Sequence, residues 1–177
     1  MALHQYESGD RGVVARPTGE GRFQTRIGLR GGAIMADEPA AVGGLDSGPT
    51  PYELLSAALA ACTAMTMCLY AGRKQWTLPG FEVEVAHSIM AGVGEEAPRD
   101  LFTRRILFDE RPPAEQEARL LEIADRCPVH RTLMRGFRVV TEAAGAQAPP
   151  LAAAEPAEQH EYDMEQACAE DEERQLS

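Results

Sequence analysis

The sequence predicts an α+β domain in which antiparallel strands pack with one long buried helix. Three observations support this fold class. A helix-forming run without charges lies between Glu53 and Arg73, two alternating segments flank a polar loop within 81–109, and an amphipathic helical pattern follows them. The resulting order of strands, long helix, hairpin, helix and strand is typical of α+β folds, because strands and helices do not alternate regularly.

The residues before the long helix predict short antiparallel strands. A strand is expected at 12–16, and the residues 22–29 alternate so that Phe23, Thr25, Ile27 and Leu29 share one side. A third strand at 33–36 is expected to pair with the second after a turn at Gly31-Gly32. The Gly- and Pro-rich stretch 39–51 is expected to be a loop.

The long helix has a well-marked start. Thr50 suits the N-cap, Pro51 the first helical position and Glu53 the third, which together form a capping box and predict a helix from Pro51 to about Arg73. Its 19 uncharged residues approach the ~20 needed to cross a bilayer. They are rich in Ala, Ser and Thr, so we expect a buried core helix and no membrane partner. A helix that is apolar on all sides needs cover on all sides, which favours a dimer.

A hairpin is expected next, because Phe81–Met90 alternates apolar and polar residues and Asp100–Asp109 can pair with it across the loop 91–99. Pro112-Pro113 then opens a second helix. The residues Leu120, Ile123, Ala124 and Cys127 of this helix follow helical spacing, which predicts that Cys127 lies on its buried stripe.

The chain after this helix has three predicted parts. A short helical piece is expected from Pro128, and a strand is expected at Gly136–Glu142. We place the end of the domain at residue 144, so that 1–144 form the domain and 145–177 form an acidic tail rich in Ala, Glu and Pro. The tail is expected to be a linker followed by a polar helix from about Glu155, or to be disordered.

Charge and cysteine usage narrow the class of protein. The tail carries nine acidic residues and one basic residue, so most of the net charge of −11 lies there and the domain carries about −3. The sequence has no basic stripe, which argues against nucleic acid as a partner. Four cysteines without a CxxC motif, and a start that does not resemble a signal peptide, predict a reduced cytoplasmic protein.

Two cysteines are the main functional candidates. Cys62 lies inside the uncharged helix, and Cys127 lies 65 residues later, directly before Pro128. Thiols on two separate helices suggest a pair that meets in the fold and performs redox chemistry, although two unrelated buried thiols remain the alternative. Burial alone would raise the pKa of Cys62, so a cation is expected beside it. A helix start at Pro128 would favour the thiolate of Cys127.

The remaining candidates are expected to be structural. Cys68 lies about 120° around the helix from Cys62 and is expected in the core, whereas Cys168 in the acidic tail is expected to be exposed. His130 is expected at the surface or as a cap. His87 and His130 have no metal-ligand spacing, so neither a metal nor a cofactor is expected. Three methionines are expected to fill the core, namely Met65, Met67 and Met90.

Two segments carry a family resemblance. GGLDSGPTPYELLSAALAACTAMT and LLEIADRCPVHRTL, at this separation, resemble the OsmC/Ohr family of osmotically inducible and organic hydroperoxide resistance proteins, over about residues 20–143. The resemblance implies an intertwined homodimer with the long cysteine helix at its centre and active sites at the dimer interface. It also implies reduction of organic hydroperoxides, with Cys62 as the peroxidatic cysteine and Cys127 as the resolving one.

The sequence departs from the family pattern beside Cys62. Family peroxidases start this helix with a Pro-Glu-Glu-Leu-like motif whose first Glu orients an Arg over the reactive thiol. Tyr52 occupies that position here, and Glu53 follows one residue later, where the capping box accounts for it. Arg26 and Arg30 on the early strands are the candidates for the partner Arg.

The function that we expect is thiol-dependent reduction of an organic hydroperoxide, in which a Cys62 sulfenic acid is resolved by Cys127 and a cellular dithiol supplies electrons. Two alternatives remain, because the Glu and Arg that activate the thiol in family peroxidases are not recognisable here and because the acidic tail has no assigned role. The protein could bind a small apolar or electrophilic ligand without catalysis, or act as a redox sensor whose tail docks a partner.

Overall fold

The computed structural model describes residues 12–91, 99–145, 148–149, 151 and 157–176, with side chains of the last helix described for 160–170. The described residues form two compact units. The first contains a three-stranded sheet, the loop after it and the first turn of the long helix. The second contains the rest of that helix, from Leu55, together with a hairpin and three further helices.

The sheet of the first unit has the order β1-β2-β3 and is antiparallel throughout. Its strands are β1 (Val14–Pro17), β2 (Thr25–Leu29) and β3 (Gly32–Ala36). Leu29 pairs with Gly32, so the turn consists of Arg30 and Gly31, one residue earlier than the sequence predicted. Gly31 has φ of +83°, a conformation that glycine adopts without a Cβ clash, which explains why the turn is here.

The loop after β3 is organised around the buried carboxylate of Asp37. This carboxylate accepts hydrogen bonds from the Ser47 hydroxyl at 2.8 Å and from the backbone N–H groups of Glu38 and Leu45 at 2.9 and 3.0 Å. Burial would raise the pKa of Asp37, but these hydrogen bonds outweigh it and hold the pKa below its ordinary value. Gly48 allows the close return of the loop, because a Cβ there would lie 2.1 Å from the Met35 carbonyl oxygen.

The long helix α1 spans Pro51–Arg73, as predicted, and its capping box is formed. The Glu53 carboxylate accepts from the Thr50 N–H at 2.7 Å, and the Thr50 hydroxyl accepts from the Glu53 N–H at 3.2 Å. By length and composition, α1 is the one helix in the described ranges that could cross a membrane. One of its faces is buried in the protein, as in a core helix. That face consists of Ser56, Leu59, Cys62, Thr63, Thr66, Met67, Tyr70 and Ala71.

The predicted hairpin is confirmed. Strands β4 (Phe81–Met90) and β5 (Arg99–Phe108) pair antiparallel from Phe81↔Phe108 to Met90↔Arg99. Alternate side chains are half-buried, which matches the alternating sequence. Most of the predicted loop, residues 92–98, lies outside the described residues.

Two helices follow the hairpin, α2 (Ala114–Ala124) and α3 (Pro128–Arg135). Leu120, Ile123 and Ala124 are buried on α2, as their spacing predicted. The assignment of Cys127 to the same helix was wrong, because α2 ends at Ala124. Cys127 is instead the N-cap of α3, where the fixed φ of Pro128 suits the first helical position.

The predicted strand at Gly136–Glu142 is not formed; these residues have no regular secondary structure. Phe137, Val139 and Val140 are all more than two-thirds exposed. Their alternation is typical of a strand, but a strand needs a partner to satisfy its backbone hydrogen bonds. In the described part of this single chain, the segment pairs with no strand.

A final helix, α4 (Ala157–Leu176), occupies the region predicted as a polar helix or disorder. Met164, Ala167 and Cys168 are buried, and Cys168 packs in a core cluster with Met67 and Tyr70. The domain boundary at residue 144 stays a prediction.

Several predictions of burial were wrong. Cys168 is fully buried on the inner face of α4, whereas Cys68 is exposed on the outer face of α1. Met67 is buried as expected, but Met65 and Met90 are about half exposed. Cys68, Met65 and Met90 are exposed because one face of the apolar helix and of the hairpin is uncovered in the single chain, whereas Cys168 is buried because α4 packs its inner face against Met67 and Tyr70 of α1.

Candidate thiol site

The structure brings Cys62 and Cys127 together in the second unit. Each side chain changes the pKa of the other through a hydrogen bond, neither forms a disulfide, and they are only 2% and 0% exposed. They form a small apolar cluster with Leu59. Half-buried side chains from the hairpin and α3 surround this cluster: Val85, Phe102, Val129 and Leu133.

Cys127 gains its hydrogen bonds from the position at the start of α3. As the N-cap, its Sγ accepts from the backbone N–H of His130 at 3.4 Å. The Thr63 hydroxyl of α1 lies 3.7 Å from the same sulfur. Free N–H groups and the positive end of the helix dipole both favour a negative charge at such a position.

A buried arginine lies behind this sulfur. Arg104 of β5 has a side chain only 13% exposed, and it donates to the Thr63 hydroxyl at 3.0 Å and to the Ala124 carbonyl at 2.8 Å. It also pairs with Asp125 at 2.5 Å. The guanidinium therefore holds the Thr63 hydroxyl in place beside Cys127 by a hydrogen bond. It also adds a positive charge near the thiol pair.

Cys62 lies within α1, where the backbone N–H groups are used by the helix itself. Its sulfur accepts from the backbone N–H of Val129 in α3 at 3.4 Å. The imidazole Nε2 of His160 in α4 lies 3.4 Å from the same sulfur. Thr66 of α1 also hydrogen-bonds the Cys62 side chain, so the polar groups around this sulfur come from α1, α3 and α4.

The two thiols have opposite pKa shifts. The hydrogen bond from Cys62 is the largest effect on Cys127, and with the His130 N–H, Thr63 and the charge of Arg104 it outweighs burial and lowers the pKa of Cys127 from 9.0 to about 6. The hydrogen bond to Cys127, followed by burial, raises the pKa of Cys62 above 9.0. The pair therefore loses its first proton as one unit, with the negative charge favoured on Cys127.

The predicted supporting residues belong to the first unit or to the first turn of α1. Arg26 is exposed on β2, and Arg30 is exposed in the turn after it. The Glu53 carboxylate is engaged in the capping box, where hydrogen bonds from the N–H and hydroxyl of Thr50 lower its pKa. Tyr52 is about half exposed. Their roles stay predictions.

Sequence reasoning missed Arg104, Thr63 and His160. A signal for Arg104 was present, because it occupies the inward register of β5 between Phe102 and Ile106, where an apolar residue is the norm. Thr63 follows Cys62 directly on the buried face of α1. His160 is 98 residues from Cys62, and no local pattern joins them. In the described ranges, no group of three or more His, Cys, Asp or Glu residues could hold a metal ion.

The sequence profile of the family described as OsmC-like protein matches residues 44–142, which is more than half of the chain and includes both cysteines. The chain belongs to this family. The match ends before α4 begins. A search of curated proteins found no relative that matches.

Solved structures of OsmC-like proteins have the same fold. A protein from Psychrobacter arcticus 273-4, described as an osmotic stress induced and detoxification response protein, is 20% identical with a TM-score of 0.57 over 68% of this chain and 85% of its own. The organic hydroperoxide resistance protein OsmC from Legionella pneumophila is 17% identical, with a TM-score of 0.53 over 70% and 88%. An OsmC-like protein from Mycoplasma pneumoniae is 21% identical, with 0.54 over 70% and 86%.

Proposed function

We propose that this protein reduces organic hydroperoxides through a thiol-dependent cycle, with Cys62 as the peroxidatic cysteine and Cys127 as the resolving one. The observation that carries the proposal is the packing of the two thiols in one buried cluster. Two cysteines that pack together in one cluster are suited to forming a disulfide. Similarity to an organic hydroperoxide resistance protein supports the same substrate class.

The cycle has two steps in this proposal. A Cys62 thiolate attacks the terminal peroxide oxygen, the O–O bond breaks, and an alcohol leaves while Cys62 becomes a sulfenic acid. Cys127 then attacks the Cys62 sulfur and releases water, which leaves a Cys62–Cys127 disulfide. The low pKa of Cys127 suits this second step, because the attacking species is a thiolate.

The surroundings of Cys62 support an organic substrate over hydrogen peroxide. Val85, Phe102 and Leu133 are apolar side chains packed around the cluster. An alkyl or aryl group gains free energy by leaving water against such surface, whereas hydrogen peroxide has no apolar part to bury.

A homodimer forms part of the proposal. The outer face of α1 exposes Leu55 and Met65, and the segment after α3 exposes Phe137, Val139 and Val140. An unpaired alternating segment and an uncovered apolar helix face are suited to burial against a second copy of the chain.

Electrons would come from a cellular dithiol that reduces the Cys62–Cys127 disulfide. Because the cycle needs thiols that are kept reduced, we propose a cytoplasmic location.

Consumption of cumene hydroperoxide, with dithiothreitol as reductant, tests the function. Wild type is expected to consume the peroxide, Cys62→Ser to lose consumption above background, and Cys127→Ser to react once and stop at a sulfenic acid that dimedone labels on Cys62. Equal consumption by wild type and Cys62→Ser would refute the proposal and leave the ligand-binding alternative. A dimedone label on Cys127 in the Cys62→Ser variant would instead exchange the two roles.

Cys68→Ser is the matched control. Cys68 lies on the same helix as Cys62, one and two-thirds turns further along, but on its exposed face. The variant is expected to retain wild-type consumption, so that a loss in Cys62→Ser cannot be ascribed to removing any thiol from α1.

A further inference from the structure

The helix α4 is fixed to the second unit, although the family match ends before it. Cys168 fills a core cluster beside Met67 and Tyr70. Arg131 of α3 forms an ion pair with Glu170, and Arg73 of α1 donates to the Glu165 carbonyl at 3.1 Å. Contacts with both α1 and α3 therefore hold this helix in place.

One residue of α4 reaches the thiol pair. His160 is half-buried, and its Nε2 lies 3.4 Å from the Cys62 sulfur. In the tautomer that carries its hydrogen on Nδ1, Nε2 can accept the thiol proton. Imidazole also changes protonation near neutral pH, which makes histidine the commonest general acid and base in proteins.

Cys62 needs such a group because its own surroundings oppose ionisation. The hydrogen bond to Cys127 and burial both raise the pKa of Cys62, and together they outweigh the Val129 N–H and Thr66, which lower it. The guanidinium of Arg104 lowers the pKa of Cys127 instead. It donates a hydrogen bond to the Thr63 hydroxyl, which lies beside Cys127. A proton acceptor directly at the Cys62 sulfur would allow this thiol to ionise.

We propose that His160 is a catalytic residue of this site: its Nε2 takes up the Cys62 proton and later gives it to the leaving alkoxide, so that α4 completes an active site that the family-matched region does not complete alone. This inference rests on the proposed hydroperoxide reduction and assigns its acid–base group.

The proton and electron balance is as follows. Cys62 gives its proton to His160, and the thiolate attacks the terminal oxygen of the hydroperoxide. The O–O bond breaks and its electron pair leaves on the alkoxide, which takes the proton from His160 to become the alcohol. Sulfur is oxidised to a sulfenic acid and the peroxide is reduced. Cys127 then displaces hydroxide from the Cys62 sulfur, and solvent protonates that hydroxide to water.

Other charges would also affect a pH titration of this pair. On the elements around it, these groups are Cys127, Arg104, Asp125, His130, Arg131 and Glu170. Among the described side chains of α4, Glu161 and Asp163 are the carboxylates closest to His160 in sequence. The experiment therefore compares variants that differ only at the imidazole.

The test measures thiolate absorbance against pH in full-length Cys127→Ser protein, with the Cys62→Ser/Cys127→Ser spectrum subtracted. His160→Gln keeps a polar side chain but cannot exchange a proton near neutral pH. It is expected to move the Cys62 titration to higher pH by about one unit, roughly a tenfold loss of thiolate near neutrality. His87→Gln, which removes an imidazole bonded to Asp100 on the hairpin, is the matched control and is expected to leave the titration unchanged.

The second readout is the rate of cumene hydroperoxide reduction with Cys127 present. His160→Gln is expected to lower the rate on the order of 10²-fold at neutral pH and to recover as rising pH ionises Cys62 without help. An unchanged titration together with an unchanged rate would overturn the role of His160 and leave the proposed function standing. If wild type consumes no peroxide, the proposed function fails, and the titration alone decides whether His160 takes the Cys62 proton. His160→Asn repeats both measurements if the Gln variant does not fold.

Discussion

Cys62 and Cys127 share one buried cluster, yet they lie in different kinds of backbone. Cys127 begins α3, where the N–H of His130 is available to it, and the pKa of Cys127 is lowered to about 6. Cys62 lies in the middle of α1, where the helix uses its own N–H groups, and its pKa is raised. Position along a helix thus decides which backbone N–H groups are available to a thiol of this apolar cluster.

The comparison teaches that a thiol inside a helix receives no free backbone N–H group from its own helix. For Cys62, a backbone N–H comes from Val129 of α3 and an imidazole from His160 of α4. Cys127 receives a backbone N–H from its own helix start, although the hydrogen bond from Cys62 has the largest effect on its pKa. Cys62 has in return an apolar surrounding, which suits the organic substrate that we propose.

The largest expected effect is on the titration of Cys127. Because the hydrogen bond from Cys62 is the main cause of the lowered pKa, Cys62→Ala is expected to raise the pKa of Cys127 by at least one unit from about 6 towards 9.0. Thiolate absorbance against pH measures the shift. A pKa that stays near 6 in Cys62→Ala would show that the helix start and Arg104 act alone.

The same shift has a defined effect on stability. Because the folded pKa of Cys127 lies below its ordinary value, this thiol contributes stability fully above about pH 9, and the contribution is lost as the pH falls to about 6. The raised pKa of Cys62 acts in the opposite sense above pH 9. Urea unfolding of wild type is therefore expected to show a free energy of unfolding that rises from pH 6 to 9, with a shallower rise in Cys127→Ser.

Arg104 and Arg105 provide the next comparison, because they are neighbours on opposite faces of β5. Arg104→Met removes charge-assisted hydrogen bonds to Thr63, Ala124 and Asp125 and is expected to cost about 2–3 kcal/mol in urea unfolding and to raise the pKa of Cys127. Arg105→Met breaks an exposed pair with Glu84 and is expected to cost less than about 1 kcal/mol. Equal costs for the two variants would contradict the structural role of Arg104.

The smallest expected effects come from substitution of the two threonines of α1, which are expected to change the pKa of different cysteines. Thr63 and Thr66 each donate to a carbonyl one turn earlier at 2.8 Å, so Val at either position is expected to cost about 1 kcal/mol. Thr63→Val is expected to raise the pKa of Cys127, whereas Thr66→Val is expected to raise that of Cys62. Alkylation of each cysteine, followed by mass spectrometry across a pH series, checks this difference. A shift of the same thiol in both variants would contradict the arrangement.

The sequence predicted the elements whose signals are local. The capping box at Thr50 and Glu53 identified the start of α1, and alternation identified the hairpin to within one residue at each end. The contact between Cys62 and Cys127 was inferred from their two separate helices and from a family resemblance. The strand at 136–142 was wrong because a strand depends on a partner, which alternation alone does not reveal.

The rest of the site could not be predicted because it depends on long-range packing. His160 reaches Cys62 only because Cys168 and its neighbours seat α4 on the core, and the charged composition of the tail suggested a solvated segment instead. The inward position of Arg104 was not recognised from the sequence, because Arg104 lies next to Arg105 in a strand whose outer face is polar. An arginine at an inward-facing position of such a strand would have indicated a residue of the site.

The most direct test is to map disulfides after one equivalent of cumene hydroperoxide is added to the reduced protein. Thiols are then blocked, the chain is digested without reductant, and cross-linked peptides are identified by mass spectrometry. We predict one cross-link, between the peptides of Cys62 and Cys127 within a single chain, with Cys68 and Cys168 still blocked as free thiols. Peroxide consumption with Cys62 and Cys127 both recovered as free thiols, or a cross-link that excludes either of them, would contradict the account.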